Sequence, residues 1–183
     1  MVKRLFDLLG ATLALLLLSP LLLVAALAVR LDSPGPVFYR QQRVGRGGVP
    51  FSIHKFRTMC HGAGGPLLTV GDDPRITRVG AFLRRTRIDE LPQFIDVLLG
   101  HMSLVGPRPP IPYEVELYQP HHHDRLRTTS GLTGWWQVKG RSATSFEEMV
   151  GLDVEYIQKQ SLWLDIKIIV MTVTTAMNGK GAR

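Results

Sequence analysis

The chain opens on an almost unbroken apolar run. In MVKRLFDLLGATLALLLLSPLLLVAALAVRLDSPGP no charge stands between Asp7 and Arg30, and leucine dominates. The run reaches the roughly 20 residues that a bilayer core requires of a helix. Three readings compete. Lys3 and Arg4, the leucines, and the small residues Ala26 and Ala28 fit a cleavable secretory signal. A helix that crosses the membrane fits as well. Ser19-Pro20 supports the third, because proline lacks an amide donor and crowds the preceding turn, so the helix is expected to break there. Basic residues flank both ends, Lys3 and Arg4 before, Arg30, Arg40 and Arg43 after. The positive-inside bias then keeps both ends on one face, as in a bent helix that enters one leaflet and returns. Backbone groups freed near Leu16 and Leu17 would be met by the Ser19 hydroxyl or by neighbouring helices.

Beyond a turn at SPGP, PVFYRQQRVG and VPFSIHKFRTM alternate partly with period two, and the GRGG between them suits a hairpin. Residues 61–73, rich in Gly and Pro, read as a loop. DPRITRVGAFLRRTR has apolar residues at Ile76, Val79, Phe82 and Leu83, a helical spacing with Asp73 as its cap. DELPQFIDVLLG reads as a second helix with Asp89 at the N-cap, Pro92 in the first turn and Gly100 as the stop. SLVGPRPPIP holds too many prolines for regular structure. The segment YEVELYQPHHHDRLRTTSGLTGWWQVKGR mixes a short helix with turns. From Ser145, with Glu148 three residues on, the chain is helical nearly to its end. Its LWLDIKIIVMTV stretch, interrupted by Asp165 and Lys167, is too short and charged to span a bilayer. It fits an interfacial helix with Trp163 at one end, or a core helix. The sum is a mixed α+β fold, mostly helical, with a small β-hairpin and amphipathic helices.

Composition narrows the partners. The 183 residues suit one domain. An excess of 22 Lys+Arg over 15 Asp+Glu, net +7, favours nucleic acid, phosphorylated substrates or an acidic membrane surface. Nucleic acid is set aside, since no stacking-aromatic array, recognition-helix pattern or RNP-type motif appears. The single Cys60 excludes an internal disulfide.

Candidate chemistry centres on RRTRIDELPQF. Asp89 and Glu90 are explained in part as acids that stabilise a helix start. Arg84, Arg85 and Arg87 nevertheless bring more positive charge than two carboxylates need. Adjacent acids also suit Mg²⁺, which takes one or two carboxylates together with substrate phosphates. A carboxylate is moreover the nucleophile of aspartyl-phosphate enzymes. Lys55, Arg57, Arg75, Arg78, Arg108 and Arg141 lie near turns, and Arg108, between Pro107 and Pro109, has a stiff backbone suited to aiming a guanidinium at phosphate. His121-His122-His123 point in different directions, without a second set of ligands, and read as a surface loop. Cys60-His61 lacks a third partner for nucleophilic catalysis. Trp135-Trp136 fit interfacial anchors and core aromatics equally.

HKFRTM (54–59), DPRITRVGAFLRRTRIDELPQFIDVLLG (73–100), MSLVGPRP (102–109), GLTGWWQVKGR (131–141) and LDVEYIQKQSLWLDIKIIVMTV (152–173) resemble, in order and spacing, the bacterial sugar transferase family. These are monotopic polyprenyl-phosphate phosphoglycosyl transferases, and the chain resembles the form without further N-terminal spans. The resemblance implies a re-entrant membrane helix over residues 1–30 and a catalytic domain over 31–183, on the cytoplasmic face of the bacterial inner membrane. It implies transfer of a sugar phosphate from a nucleotide diphosphate sugar, usually a UDP-sugar, to undecaprenyl phosphate, with release of UMP. That is the first membrane step in making exopolysaccharide, O-antigen, capsule or glycoprotein. Asp89 matches the nucleophile, which forms a phosphosugar–aspartyl intermediate, and Glu90 matches its partner. Mg²⁺ is expected beside the dyad, with Asp89 as ligand. Lys55, Arg84, Arg108 and Arg141 fall where the family places functional basic residues, and Arg57 is counted with them as a phosphate-binding candidate. Membrane phospholipids are expected partners, nucleic acid is not, and a homodimer is left open. The alternative is a non-enzymatic, membrane-anchored basic binding protein. Three departures stand out: His101 for a usual acid, Ser130 for a usual proline, and Lys139 for a usual asparagine.

Overall fold

The computed structural model describes residues 1–65, 73–140 and 144–177. Helix α1 (Val2–Asp32) buries one narrow stripe, Asp7, Ala11, Ala25 and Val29, and passes Pro20 without leaving the helix. Pro20 cannot donate to the Leu16 carbonyl four residues back, and the Ser19 hydroxyl donates to it instead at 2.8 Å. The expected break is therefore a missing backbone bond, repaired locally, with the helix itself continuing. Leu13, Leu16, Leu17, Leu23, Val24 and Leu27 are each at least 58 % exposed. So large an apolar surface marks contact with something other than water.

Both ends of α1 are fastened to the same body. Near the start, Lys3 Nζ donates to Asp165 Oδ2 at 2.6 Å, and Arg4 donates to the carbonyls of Val97 and Leu98 at 2.6 and 2.9 Å. At the far end Arg57 donates to Pro34 O at 2.6 Å and Ser33 O at 2.8 Å, and the Val79 amide donates to Asp32 Oδ2 at 3.0 Å.

The hairpin forms where alternation and the glycines place it. Strand β1 (Phe38–Val44) pairs antiparallel with β2 (Pro50–Phe56), from Phe38 opposite Phe56 to Val44 opposite Pro50. Gly47 and Gly48 turn the tip at φ 68° and 82°, conformations that favour glycine. Helix α2 (Arg78–Thr86) starts later than an Asp73 cap would place it. Asp73 is engaged by Arg75, so Thr77 is the cap, accepting from the Gly80 amide at 3.0 Å. Asp89 is likewise no N-cap. Arg87, at φ 60°, leads into a 3-10 turn, Ile88–Gln93, which contains both acids and precedes α3 (Phe94–Leu99). Pro92 has no amide to give an α-helical bond, and the tighter turn accommodates it. Gly100, at φ 88°, stops α3 as expected.

The start of SLVGPRPPIP is regular after all. Strand β3 (Ser103–Val105) pairs in parallel with β4 (Gly131–Thr133), a partner too distant in sequence for local pattern to reveal. Between them lie α4 (Pro112–Glu116) and a 3-10 stretch, Pro120–Arg127. Helix α5 (Trp135–Lys139) follows, then α6 (Phe146–Lys159) with the Ser145–Glu148 capping box in place. The segment expected as one helix bends out of helical geometry at Gln160 and resumes as α7 (Leu162–Met177). The fold is thus mixed α+β and mostly helical, as the patterning indicates. Ala11, Ile53, Val97, Met102, Val105, Tyr156 and Ile168 form the main core, while Ala25, Val29, Phe56 and Leu83 seal α1 to the hairpin and α2.

Candidate active site

Three segments converge on the acidic pair: β2 carries Lys55, the 3-10 turn carries Asp89 and Glu90, and the loop after β3 carries Arg108. That loop is held by hydrogen bonds at the Gly106 amide and at the carbonyls of Pro107, Pro109 and Pro110. Gly106 N donates to Thr133 O and Gly131 N to Pro107 O, both at 2.9 Å. Arg43 Nη1 donates to Pro109 O and Val44 N to Pro110 O, again at 2.9 Å. A Cβ on Gly131 would lie 2.0 Å from Gly106 N, so glycine is required at this close approach.

Glu90 is locked. Its Oε1 accepts from Lys55 Nζ at 2.9 Å and from Arg108 Nη2 at 3.0 Å, with Arg87 Nη1 at 3.8 Å from Oε2. Burial opposes ionisation, but Arg108 and Lys55 outweigh it and hold the carboxyl well below the usual range. Asp89 is the reverse case. It is 8 % exposed, and its Oδ1 is buried without a hydrogen-bond partner. Burial, then the Glu90 charge, push its pKa up to about 6, against the pull of Lys55, Arg84 and Arg87. Burial lowers the Lys55 ammonium in turn, with Glu90 opposing.

Charge does not balance here. Lys55, Arg108, Arg84, Arg87 and Arg43 outnumber the carboxylates that act on them, Asp89, Glu90 and Glu114. Such a surplus in a partly desolvated site is stabilised by an anion with several oxygens. The same site fits a divalent cation at one point. Glu90 Oε1 is saturated by two cations, whereas Asp89 keeps a buried, unpartnered carboxylate oxygen, the donor that Mg²⁺ takes.

The family model for bacterial sugar transferases matches residues 1–179. The chain belongs to the bacterial sugar transferase family. Within it, the UDP-glucose:undecaprenyl-phosphate glucose-1-phosphate transferase of Escherichia coli (strain K12) is 46 % identical over 100 % of this chain and 41 % of its own length. The enzyme of the same name from Caulobacter vibrioides is 46 % identical over 98 % of this chain and 71 % of its own. The UDP-N-acetylgalactosamine-undecaprenyl-phosphate N-acetylgalactosaminephosphotransferase of Aeromonas hydrophila is 43 % identical over 100 % of this chain and 45 % of its own. The chain thus spans less than half the length of the Escherichia coli and Aeromonas relatives.

Of the basic residues singled out in this family member's sequence, Lys55 and Arg108 meet the dyad directly, and Arg84 is near enough for its charge to act on Asp89. Arg57 is engaged elsewhere: it is buried, and its guanidinium donates to the carbonyls of Val29, Ser33 and Pro34, where it ties down the end of α1. Arg141 lies outside the described residues. In sequence Arg43 is only a charge flanking α1, yet it lies along the Arg108 loop, and burial and then Arg108 bring its pKa down to about 10. The signal that would have found it is the strand register, which needs the partner strand. His101 is exposed beside the Phe51 ring, Ser130 supplies a carbonyl to Ser103 N at 2.8 Å, and Lys139 reaches Glu155 at 3.4 Å.

His121, His122 and Glu147 gather their side-chain donors within 4.8 Å of one another. His122 Nδ1 accepts from the Gln119 amide at 3.0 Å, which puts the ring proton on Nε2, where it is donated to Glu147 at 2.8 Å. A metal-bound histidine donates its second nitrogen outward, so this geometry describes a hydrogen-bonded anchor for the start of α6.

Proposed function

We propose that the chain transfers a sugar-1-phosphate from a UDP-sugar to undecaprenyl phosphate, releasing UMP, in the synthesis of a bacterial glycoconjugate. The observation that carries the reading is the buried Asp89 oxygen without a partner, set among cations beside a Glu90 whose Oε1 holds Lys55 and Arg108. Relatives that match nearly all of this chain bear names for transfers of this kind.

In the first step the Asp89 carboxylate attacks the β-phosphorus of the UDP-sugar. A phosphorus–oxygen bond to Asp89 forms, the bond to the bridging oxygen breaks, and that oxygen leaves with its electron pair as part of UMP. In the second step an oxygen of the lipid phosphate attacks the same phosphorus and Asp89 departs as the free carboxylate. Lys55, Arg108 and Arg84 supply the positive field that lets one anion approach another. Glu90 holds Lys55 and Arg108 in place and keeps them apart from Asp89, whose oxygen stays available. Bound Mg²⁺, held by Asp89, would screen the diphosphate charge.

The membrane reading follows from α1 and α7. One body fastens both ends of α1, which is the arrangement of a helix that enters and leaves by the same face. On α7, Trp163, Ile166, Val170 and Val173 recur at three and four residues on an exposed side, an apolar stripe suited to phospholipid at the interface. We read the protein as monotopic, on the cytoplasmic face of the inner membrane. The deciding assay is UMP release by purified protein from a panel of UDP-sugars with undecaprenyl phosphate. Asp89→Asn is expected to lose at least about 10³-fold in rate, and a variant that turns over normally would overturn the assignment.

A further inference from the structure

Two carboxylates outside the dyad are buried: Asp165 is 0 % exposed and Asp7 is 3 % exposed. The proposed reaction uses neither. Asp165 Oδ2 accepts from Lys3 Nζ at 2.6 Å, and its Oδ1 lies 2.7 Å from the Tyr156 hydroxyl. That hydroxyl also lies 3.0 Å from the Val105 carbonyl and accepts from Gln160 Nε2 at 3.2 Å. A phenol has one proton, so Tyr156 shares it between Asp165 and Val105. Burial, then Asp165, raise the phenol well above its usual pKa, which keeps that proton in place. On the other side of β3, Asp7 Oδ1 accepts from the Leu104 amide and the Ser103 hydroxyl, both at 3.0 Å. All three residues of β3 are therefore held by polar groups that trace back to the first two turns of α1.

Strand β3 leads straight into Gly106, Pro107 and Arg108. The ring of Pro107 removes slack from that short connection, so the position of the Val105 carbonyl sets where Arg108 meets Glu90. A purely structural need would be met as well by apolar side chains, because burying charges carries a desolvation cost.

We propose that Tyr156, backed by Asp165 and Lys3, is a positioning residue for Arg108. Through it, the docking of the α1 N-terminus sets the geometry of the phosphate site. Lys3 then acts inside the protein as well as marking the orientation of the helix. The inference rests on the reading of Arg108 as a phosphate-binding residue.

The test combines amide exchange and kinetics on the full chain in lipid nanodiscs. In Tyr156→Phe, the amides of Leu104, Val105, Gly106 and Arg108 are expected to exchange about tenfold faster, with the β1–β2 hairpin unchanged, as one hydrogen bond is removed. The kcat/KM for UMP release should fall by about tenfold, yet by less than about twofold when Arg108→Lys is already present, because coupled residues do not add. Asp165→Asn, which keeps the shape, should reproduce both effects. Unchanged exchange over residues 104–108, loosening spread through the whole protein, or rate losses that multiply would each overturn the proposal. If the wild type released no UMP from any UDP-sugar, the reaction would fall, while the exchange arm would still judge the link between Tyr156 and the Arg108 segment.

Discussion

Glu90 Oε1 receives Lys55 at 2.9 Å and Arg108 at 3.0 Å, while Oδ1 of Asp89, the preceding residue, is buried with no partner at all. Adjacent carboxylates in one 3-10 turn thus have separate tasks. One organises cations and stays ionised. The other is left without a hydrogen bond, at the cost of a buried, unsatisfied acceptor.

The pH dependence of turnover should follow Asp89. Its pKa is raised to about 6, first by burial and then by Glu90, and attack requires the ionised form. Rate should rise as pH increases through about 6 and fall away below it. In Glu90→Gln the neighbouring negative charge is gone, so the acid limb should move to lower pH while the maximum rate drops. A profile of kcat/KM against pH for the two proteins checks this. An acid limb that stays put or moves up would mean that another group titrates.

Cation binding gives a readout that needs no turnover. If Asp89 holds Mg²⁺, then millimolar Mg²⁺ stabilises the folded protein by about 1 kcal/mol or more once its concentration exceeds the dissociation constant severalfold. Wild-type protein should melt higher with Mg²⁺ than with a chelator, and Asp89→Asn should show no such difference. A shift of equal size in both would place the cation elsewhere.

Arg57 should behave as a clamp. Its guanidinium serves the carbonyls of Val29, Ser33 and Pro34 and is buried. Arg57→Ala leaves these acceptors unmatched and should cost about 3 kcal/mol of stability, with KM for the UDP-sugar changed little at a temperature where the variant stays folded. Thermal melts and steady-state kinetics on the same preparation separate this from a substrate-binding role, which would raise KM instead.

How far the sequence carries the structure depends on the range of each interaction. The hairpin, the Ser145–Glu148 capping box, the Gly100 stop and the Ser19 repair of Leu16 are all local, and each follows from residues a few positions apart. The start of α2 was misplaced because Asp73 and Thr77 are both good caps and only the Asp73–Arg75 contact decides between them. Strand β3 was hidden because its partner β4 lies far along the chain, with two helical segments between them. At the site, Asp89, Glu90, Lys55 and Arg108 were legible as charged residues at turns. Arg57 was not separable from them, since its acceptors are main-chain carbonyls that carry no sequence signature. The roles of Lys3 and Tyr156 depend on Asp165, which reads in sequence only as an interruption of an apolar helix.

The fastening of α1 predicts its topology. Lys3 and Arg4 at one end, and Asp32 with the residues bound by Arg57 at the other, join one globular body, so both ends are expected to face the same compartment. In a Cys60→Ser background, cysteines at Val2 and Leu31, which are 69 % and 77 % exposed, should react with a membrane-impermeant maleimide from the cytoplasmic side only. A cysteine at Leu17, 70 % exposed among the outward leucines, should react from neither side once lipid covers it. Intact and inverted membrane vesicles provide the two directions of access. A simple crossing helix instead gives labelling of Val2 and Leu31 positions from opposite sides. That outcome would require Lys3–Asp165 or the Arg57 clamp to open in the membrane, and it would sink the monotopic reading.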